Sequence, residues 1–131
     1  MKRLALVLVL LVMHSCARKE NPLKDLLPVQ VQREYVLKET HSNSAEQAPE
    51  IARKQQVIRW ETAVYRAKEA IQVDVYEMKS EGNAFEMMQK WNKSEGVVFF
   101  QGPYFVVVNS QAVPRNVLLE FTQDLQTKLK P

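Results

Sequence analysis

The chain has 131 residues, of which 46% are hydrophobic and 25% are charged, and its formal net charge is +3. This length suits one domain with a single hydrophobic core. Two of the positive charges, Lys2 and Arg3, lie at the N-terminus, and the rest of the chain is close to neutral. The sequence has no stripe of Lys and Arg interleaved with aromatic residues, so it does not predict nucleic-acid binding. A single cysteine excludes a disulfide within the chain.

The N-terminal residues have the pattern of an export signal. Lys2 and Arg3 give a positive start, residues 4–13 form an unbroken apolar run, and the small residue Ser15 follows shortly after. The run is well short of the ~20 residues that a transmembrane helix needs. A charged start, a short apolar segment and a small residue at the cleavage point define a secretory signal peptide. We therefore predict a signal peptide over residues 1–15.

The end of this segment, Met13-His14-Ser15-Cys16, resembles the lipobox of bacterial lipoproteins. The resemblance extends to about Ala17 and implies export of the protein, acylation of Cys16 with palmitate-type chains, and attachment to a bacterial membrane through that lipid. Ala17 occupies the position where an aspartate is associated with retention in the inner membrane, which favours the periplasmic side of the outer membrane. The resemblance implies no activity, because lipoproteins include enzymes, binding proteins and structural parts.

The sequence after the leader divides into a tether and a domain. Residues 16–28 are polar and basic and contain proline, which predicts a lipidated tether, and the single domain then covers residues 29–131. Partial alternation over residues 29–37 predicts a first strand. Residues 39–50 contain no large apolar side chain after the strand, so we expect a solvated loop there.

Two hairpins are predicted in the rest of the domain. Residues 57–65 and 71–78 alternate between apolar and polar and are joined by a short polar link, which predicts an antiparallel hairpin. In its first strand we expect Ile58 and Trp60 to face the core and Glu61 to face solvent. A second hairpin is predicted where two β-prone runs, residues 97–100 and 104–108, flank the turn Gln101-Gly102-Pro103.

Two helices complete the predicted fold. Apolar residues at four- and three-residue spacing predict a helix over residues 84–91, and a longer amphipathic helix follows Pro114. The sequence therefore predicts an α+β fold, in which an antiparallel β-sheet carries two helices packed on one face.

The domain offers little catalytic chemistry. His41 is the one histidine after the leader and lies in a polar segment, which is typical of a solvated side chain. Spacings typical of zinc ligands and glycine-rich phosphate loops are missing from the sequence. Asp74 and Glu61 face each other across the predicted hairpin, but strand acids near a base such as Arg59 usually form surface ion pairs. We therefore predict no catalytic residue, metal or cofactor, and a protein that is not an enzyme.

Aromatic residues are the best candidates for recognition. Neighbouring residues of a strand point to opposite faces of a sheet, so we expect Tyr76, Phe100 and Tyr104 on the face away from the helices. They form a candidate apolar binding patch, unless the N-terminal strand or the loop covers them.

Three functions remain open at this point. The preferred one is a small membrane-anchored, non-catalytic binding or accessory module of the cell envelope, with an envelope protein as its partner. The first alternative is a carrier of an apolar small molecule between sheet and helices, suggested by Met87 and Met88. The second alternative is an enzyme that uses Asp74, Glu61 and Glu77 on an unknown substrate.

Overall fold

A computed structural model describes residues 21–130 of the chain. The predicted signal peptide and Cys16 lie outside the described residues. The described part contains six strands and three α-helices, with short 3-10 helices at Leu23–Leu26 and Ala45–Gln47. In chain order, the strands and α-helices are β1 (Gln30–Val31), β2 (Tyr35–Ser44), α1 (Glu50–Lys54), β3 (Val57–Arg66), β4 (Ala70–Met78), α2 (Glu81–Lys90), β5 (Val97–Gln101), β6 (Tyr104–Asn109) and α3 (Arg115–Lys128).

The strands form one antiparallel sheet in the order β1-β2-β3-β4-β6-β5. This confirms the predicted α+β fold and its antiparallel sheet. Both predicted hairpins are present, β3 with β4 and β5 with β6. The second hairpin turns at Gly102, whose φ of +55° suits a residue without a Cβ at the first position of a two-residue turn. Because β6 lies next to β4, β5 becomes an edge strand.

The start of the domain lies earlier than predicted. In the segment 23–28, where the sequence predicts tether, the leucines and Pro28 are buried, and the leucines belong to the hydrophobic core. The Tyr65 hydroxyl donates a 2.7 Å hydrogen bond to the carbonyl oxygen of Pro28. These side chains belong to the folded domain, so the described part of the tether shrinks to Asn21 and Pro22.

Regular structure also replaces most of the predicted loop at residues 39–50. β2 continues to Ser44 and pairs with β3 along its length, with a register shift between Leu37 and Glu39. A 3-10 helix and α1 follow. The side chains of β2 beyond Leu37 are polar and largely exposed, so apolar alternation gives no sign of this strand, which backbone pairing with β3 holds in place.

Helices cover both faces of the sheet, which corrects the prediction that they share one face. On the α3 face, the ring of Phe121 meets Tyr35 and Tyr65 edge-on, at centroid distances of 5.2 and 5.4 Å. On the opposite face, which we call the α2 face, α1 and α2 pack over a second cluster that includes Met87 and Tyr76. The two clusters are separate layers of core on either side of the sheet.

The composition of the central strands explains why both faces need cover. On β4, Val73 and Val75 face α3, whereas Tyr76 and Met78 face α2, and all four side chains are buried. The β6 residues Phe105–Val108 are buried on both faces as well. Strands that are apolar on both sides are typical of a sheet between two layers.

The orientation of β3 is the reverse of the expected one. Tyr65 lies opposite Ile71, and this register turns Ala63 and Glu61 toward the α3 core, where each is at most 1% exposed. Of the two residues that we expect from the sequence to face the core, Ile58 is 48% exposed, whereas Trp60 packs against the core cluster on the α2 side of the sheet. The buried aromatic ring of Tyr65 therefore decides the orientation, in spite of the charge on Glu61.

Candidate binding surface

Within residues 21–130, no group of three or more His, Cys, Asp or Glu side chains is arranged to hold a metal ion. His41 is exposed on β2, opposite Thr62, and not in a loop. No α-helix in this part of the chain combines the length and the apolar character needed to cross a membrane.

The strand carboxylates do not meet as a catalytic pair. Asp74 lies opposite Thr62, and Glu61 lies opposite Val75, so the two acids point to opposite faces of the sheet. The Ser42 hydroxyl donates a 2.6 Å hydrogen bond to Glu61 Oε2. Each of these acids therefore has its own surroundings, and neither activates the other.

A third acid takes part in an ion pair on the α3 face. Arg59 Nε donates to Glu77 Oε2 at 2.5 Å, and both side chains are at least 70% shielded from solvent. A cleft of about 440 Å³ opens beside this pair. Its lining residues come from the start of the described residues, three strands and the segment after α3: Asn21, Pro22, Asp25, Leu26, Arg59, Glu77, Tyr104 and Lys130. The lining includes two acidic side chains, Asp25 and Glu77, and two basic ones, Arg59 and Lys130.

A small polar network occupies the part of the α2 face that the helices leave uncovered. Asp74 accepts hydrogen bonds from Gln72 Nε2, at 3.2 Å, and from Thr62, and Asn43 Nδ2 donates to Thr62 Oγ1 at 3.3 Å. Burial raises the pKa of the Asp74 carboxyl, and the two hydrogen bonds oppose that shift. The hydrogen-bond partners of Asp74 are neutral side chains.

The three residues of the predicted aromatic patch do not form one exposed surface. Tyr76 is 2% exposed, because Trp60 stacks on its ring at 5.2 Å and the helical layer covers it. Phe100 is half-buried on the same face, where its ring meets Phe85 edge-on at 5.7 Å. Tyr104 lies on the α3 face beside the cleft. Strand alternation separates it from Phe100, since Gln101 and not Phe100 is its partner in the hairpin.

An open strand edge is the surface that sequence reasoning missed. β5 has the sequence VVFFQ and carries no charge. The two-residue turn makes Gln101 and Tyr104 a hydrogen-bonded pair, and antiparallel pairs alternate between bonded and non-bonded types. The backbone N–H and C=O groups of Val98 and Phe100 therefore point away from β6, toward the outside of the sheet.

Exposed apolar side chains lie on both sides of this edge. On the α2 face, Phe85 is 44% exposed and contacts Phe100 of β5. On the α3 face, Leu119 is 42% exposed. It lies one helical turn after Arg115, whose Nη1 reaches the carbonyl oxygen of Gly96 at 3.5 Å, next to the start of β5. We call Val98, Phe100, Phe85 and Leu119 together the β5 edge surface.

Comparison with known proteins gave no match: no family model, no curated protein and no solved structure is significantly similar to this chain. Its function is therefore inferred from sequence and geometry alone.

Proposed function

We propose that this protein is a small, non-catalytic binding module of the bacterial cell envelope, held at a membrane by lipid on Cys16. The observation that carries the proposal is the β5 edge surface. An open strand edge binds an extended partner segment through main-chain hydrogen bonds, and flanking apolar side chains add affinity. Exposed apolar residues grouped in one place are also typical of protein interaction sites.

The predicted anchor and the start of the domain fit together. The lipobox-like residues end at Cys16, and Leu23 is buried in the core, so residues 17–22 connect lipid and domain. Six extended residues span at most about 20 Å. Lipid on Cys16 would therefore keep the domain close to the membrane surface, and Ala17 favours the periplasmic side of the outer membrane.

Labelling and fractionation test the anchor. Cells of the native host that express the full chain are fed a palmitate analogue, and wild type is compared with the Cys16→Ala variant. We expect label and membrane recovery for wild type, and loss of label for the variant. Recovery of wild type from the cytosol with an intact Met1 and an unmodified thiol would contradict the anchor.

A charge on the open edge tests the binding surface. Val98→Lys places an ammonium group on β5, which is a device that blocks strand pairing at sheet edges. Val29→Lys is the control for the added charge, because Val29 is 73% exposed and lies outside the β5 edge surface. We expect chemical cross-linking in intact cells to capture a complex with wild type and Val29→Lys but not with Val98→Lys. Equal capture by all three proteins would contradict the proposal.

The packing favours this function over the two alternatives. Met87, on which the carrier interpretation depends, is fully buried, and Met88 is packed against the aromatic cluster. Of the three acids of the enzyme interpretation, Asp74 lies on the α2 face, apart from Glu61 and Glu77 on the α3 face. Glu61 and Glu77 accept hydrogen bonds from Ser42 and Arg59.

A further inference from the structure

We infer that the partner at the β5 edge surface is a second copy of this chain, paired with the first through antiparallel β5 strands about a twofold axis. This inference rests on the proposed function, in that the β5 edge surface is the binding surface. It adds the identity of the occupant and the register of the pairing.

The length of the edge favours a second β5 strand. β5 has five residues and lies between Gly96 and Gly102, which have φ values of +113° and +55°. Backbone in that region leaves the strand conformation, so an added strand finds outward hydrogen-bonding groups only between the two glycines. A second copy of β5 has the same length. A register centred on Phe99 places Val98 of one copy opposite Phe100 of the other and forms about four main-chain hydrogen bonds.

The chemistry of the strand is self-complementary. Since β5 carries no charge, pairing of two β5 strands places no like charges opposite each other. Each outward pair joins a β-branched residue to an aromatic one, and such cross-strand pairs are favourable. A twofold axis perpendicular to the sheet keeps each face on its own side. Phe85 of one copy then approaches Phe85 of the other on the α2 face, and Leu119 approaches its counterpart on the α3 face.

The helices beside the edge are suited to the same symmetry. Each has one charged residue a turn before its exposed apolar side chain and one neutral amide a turn after it. These residues are Glu81 and Gln89 around Phe85, and Arg115 and Gln123 around Leu119. Antiparallel placement of two copies therefore sets a charge opposite an amide at these positions on both faces.

The other side of the sheet shows what a protected edge looks like in this chain. β1 pairs with only the first residues of β2, so the rest of β2 is an edge as well. That edge carries Lys38 and Glu39 and a register shift, which are known devices against strand addition. β5 has neither device, and its contrast with β2 points to an edge that is kept open for pairing.

Site-specific photo-cross-linking in the native host tests the inference. The full chain carries p-benzoylphenylalanine in place of Phe85, an exposed aromatic position, and two differently tagged copies are expressed together. Ile58, which is 48% exposed and lies on β3, is the matched control position. We expect light to produce an adduct that contains both tags from position 85 and none from position 58. Val98→Lys should reduce that adduct more than about tenfold.

The outcomes separate the inference from the proposed function. An adduct between position 85 and a different protein would overturn the inference and leave the proposed function standing. The absence of any adduct between chains would overturn both. Leu119→Glu gives a second test on the opposite face of the sheet. The result therefore does not depend on Val98→Lys alone, which could fail to fold. An undiminished adduct with a folded Leu119→Glu variant would also overturn the twofold arrangement.

Discussion

The two faces of the sheet are both apolar at their centres, but they are covered to different extents. The α3 face has a helix of 14 residues and the N-terminal 3-10 helix, and Glu61 is 1% exposed there. The α2 face has helices of 5 and 10 residues, which cover the aromatic cluster and leave Thr62 and Asp74 half-buried beyond it. Polar strand residues are therefore buried to different extents on the two faces.

The largest difference in stability between the two faces is expected when a phenylalanine on α3 and one on α2 are each replaced by alanine. Phe121 is fully buried under α3, whereas Phe85 on α2 is 44% exposed. Phe121→Ala should lower the free energy of unfolding by about 3–5 kcal/mol, because it leaves a cavity between aromatic rings. Phe85→Ala should lower it by only about 1 kcal/mol, since less apolar area leaves the protein interior. Chemical denaturation measures both, and equal losses would contradict the difference in cover.

Two glycines, Gly82 within α2 and Gly96 directly before β5, provide the next comparison. A Cβ at Gly96 would lie 2.4 Å from the carbonyl oxygen of Val108, and its φ of +113° is unfavourable for any side chain. Gly96→Ala should therefore cost about 1–3 kcal/mol of stability. Gly82 lies in α2, where an added methyl group would have Ser80 Oγ as its nearest neighbour, at 3.7 Å. Gly82→Ala should stabilise by about 0.5–1 kcal/mol, and thermal melts that shift in the same direction for both variants would contradict the prediction.

The sequence predicts the local elements of this fold better than their arrangement. The alternation of β3 and β4 and the turn at Gly102 follow from side-chain and backbone chemistry within a few residues. The second helical layer does not, because an apolar stripe on a helix fits either face of β4, where Val75 and Tyr76 are both buried. β2 beyond Leu37 lacks an apolar pattern, and the pairing of this part with β3 follows only from the assembled sheet.

The candidate binding surface depends on the order of the strands in the sheet, which the sequence patterns do not predict. The run at Val97–Gln101 predicts a strand in any context, but its position at an edge depends on β6 lying next to β4. Alternation alone groups Tyr76, Phe100 and Tyr104 on one face. Their separation follows from the second helical layer, which buries Tyr76, and from the hairpin register, which places Tyr104 on the other face.

The uncovered end of the α2 face should show a dependence of stability on pH. Burial raises the pKa of Asp74 above its ordinary value. The folded protein therefore holds the proton more tightly than the unfolded chain, and stability falls as pH rises from about 4 through the raised pKa. Asp74→Asn should remove this loss and stabilise the protein at pH 7 by about 0.5–1 kcal/mol, with little difference below pH 4. Urea unfolding at several pH values measures it, and a variant less stable than wild type at pH 7 would contradict the assignment.

The α3 side should show the opposite dependence through Asp124. Its carboxylate accepts hydrogen bonds from Lys128 Nζ at 2.7 Å and from the backbone N–H of Gln32, and these lower its pKa. Stability from this group is present above the ordinary pKa of about 4 and is lost as pH falls through the lowered value. Asp124→Asn should therefore destabilise the protein at pH 7, by less than about 1 kcal/mol, and have little effect in acid.

Because Gln32 has a φ of +50° in the turn between β1 and β2, faster amide hydrogen exchange at that turn should accompany the loss. If Asp124→Asn instead stabilised the protein at pH 7, as Asp74→Asn is expected to do, the predicted difference between the two carboxylates would be wrong.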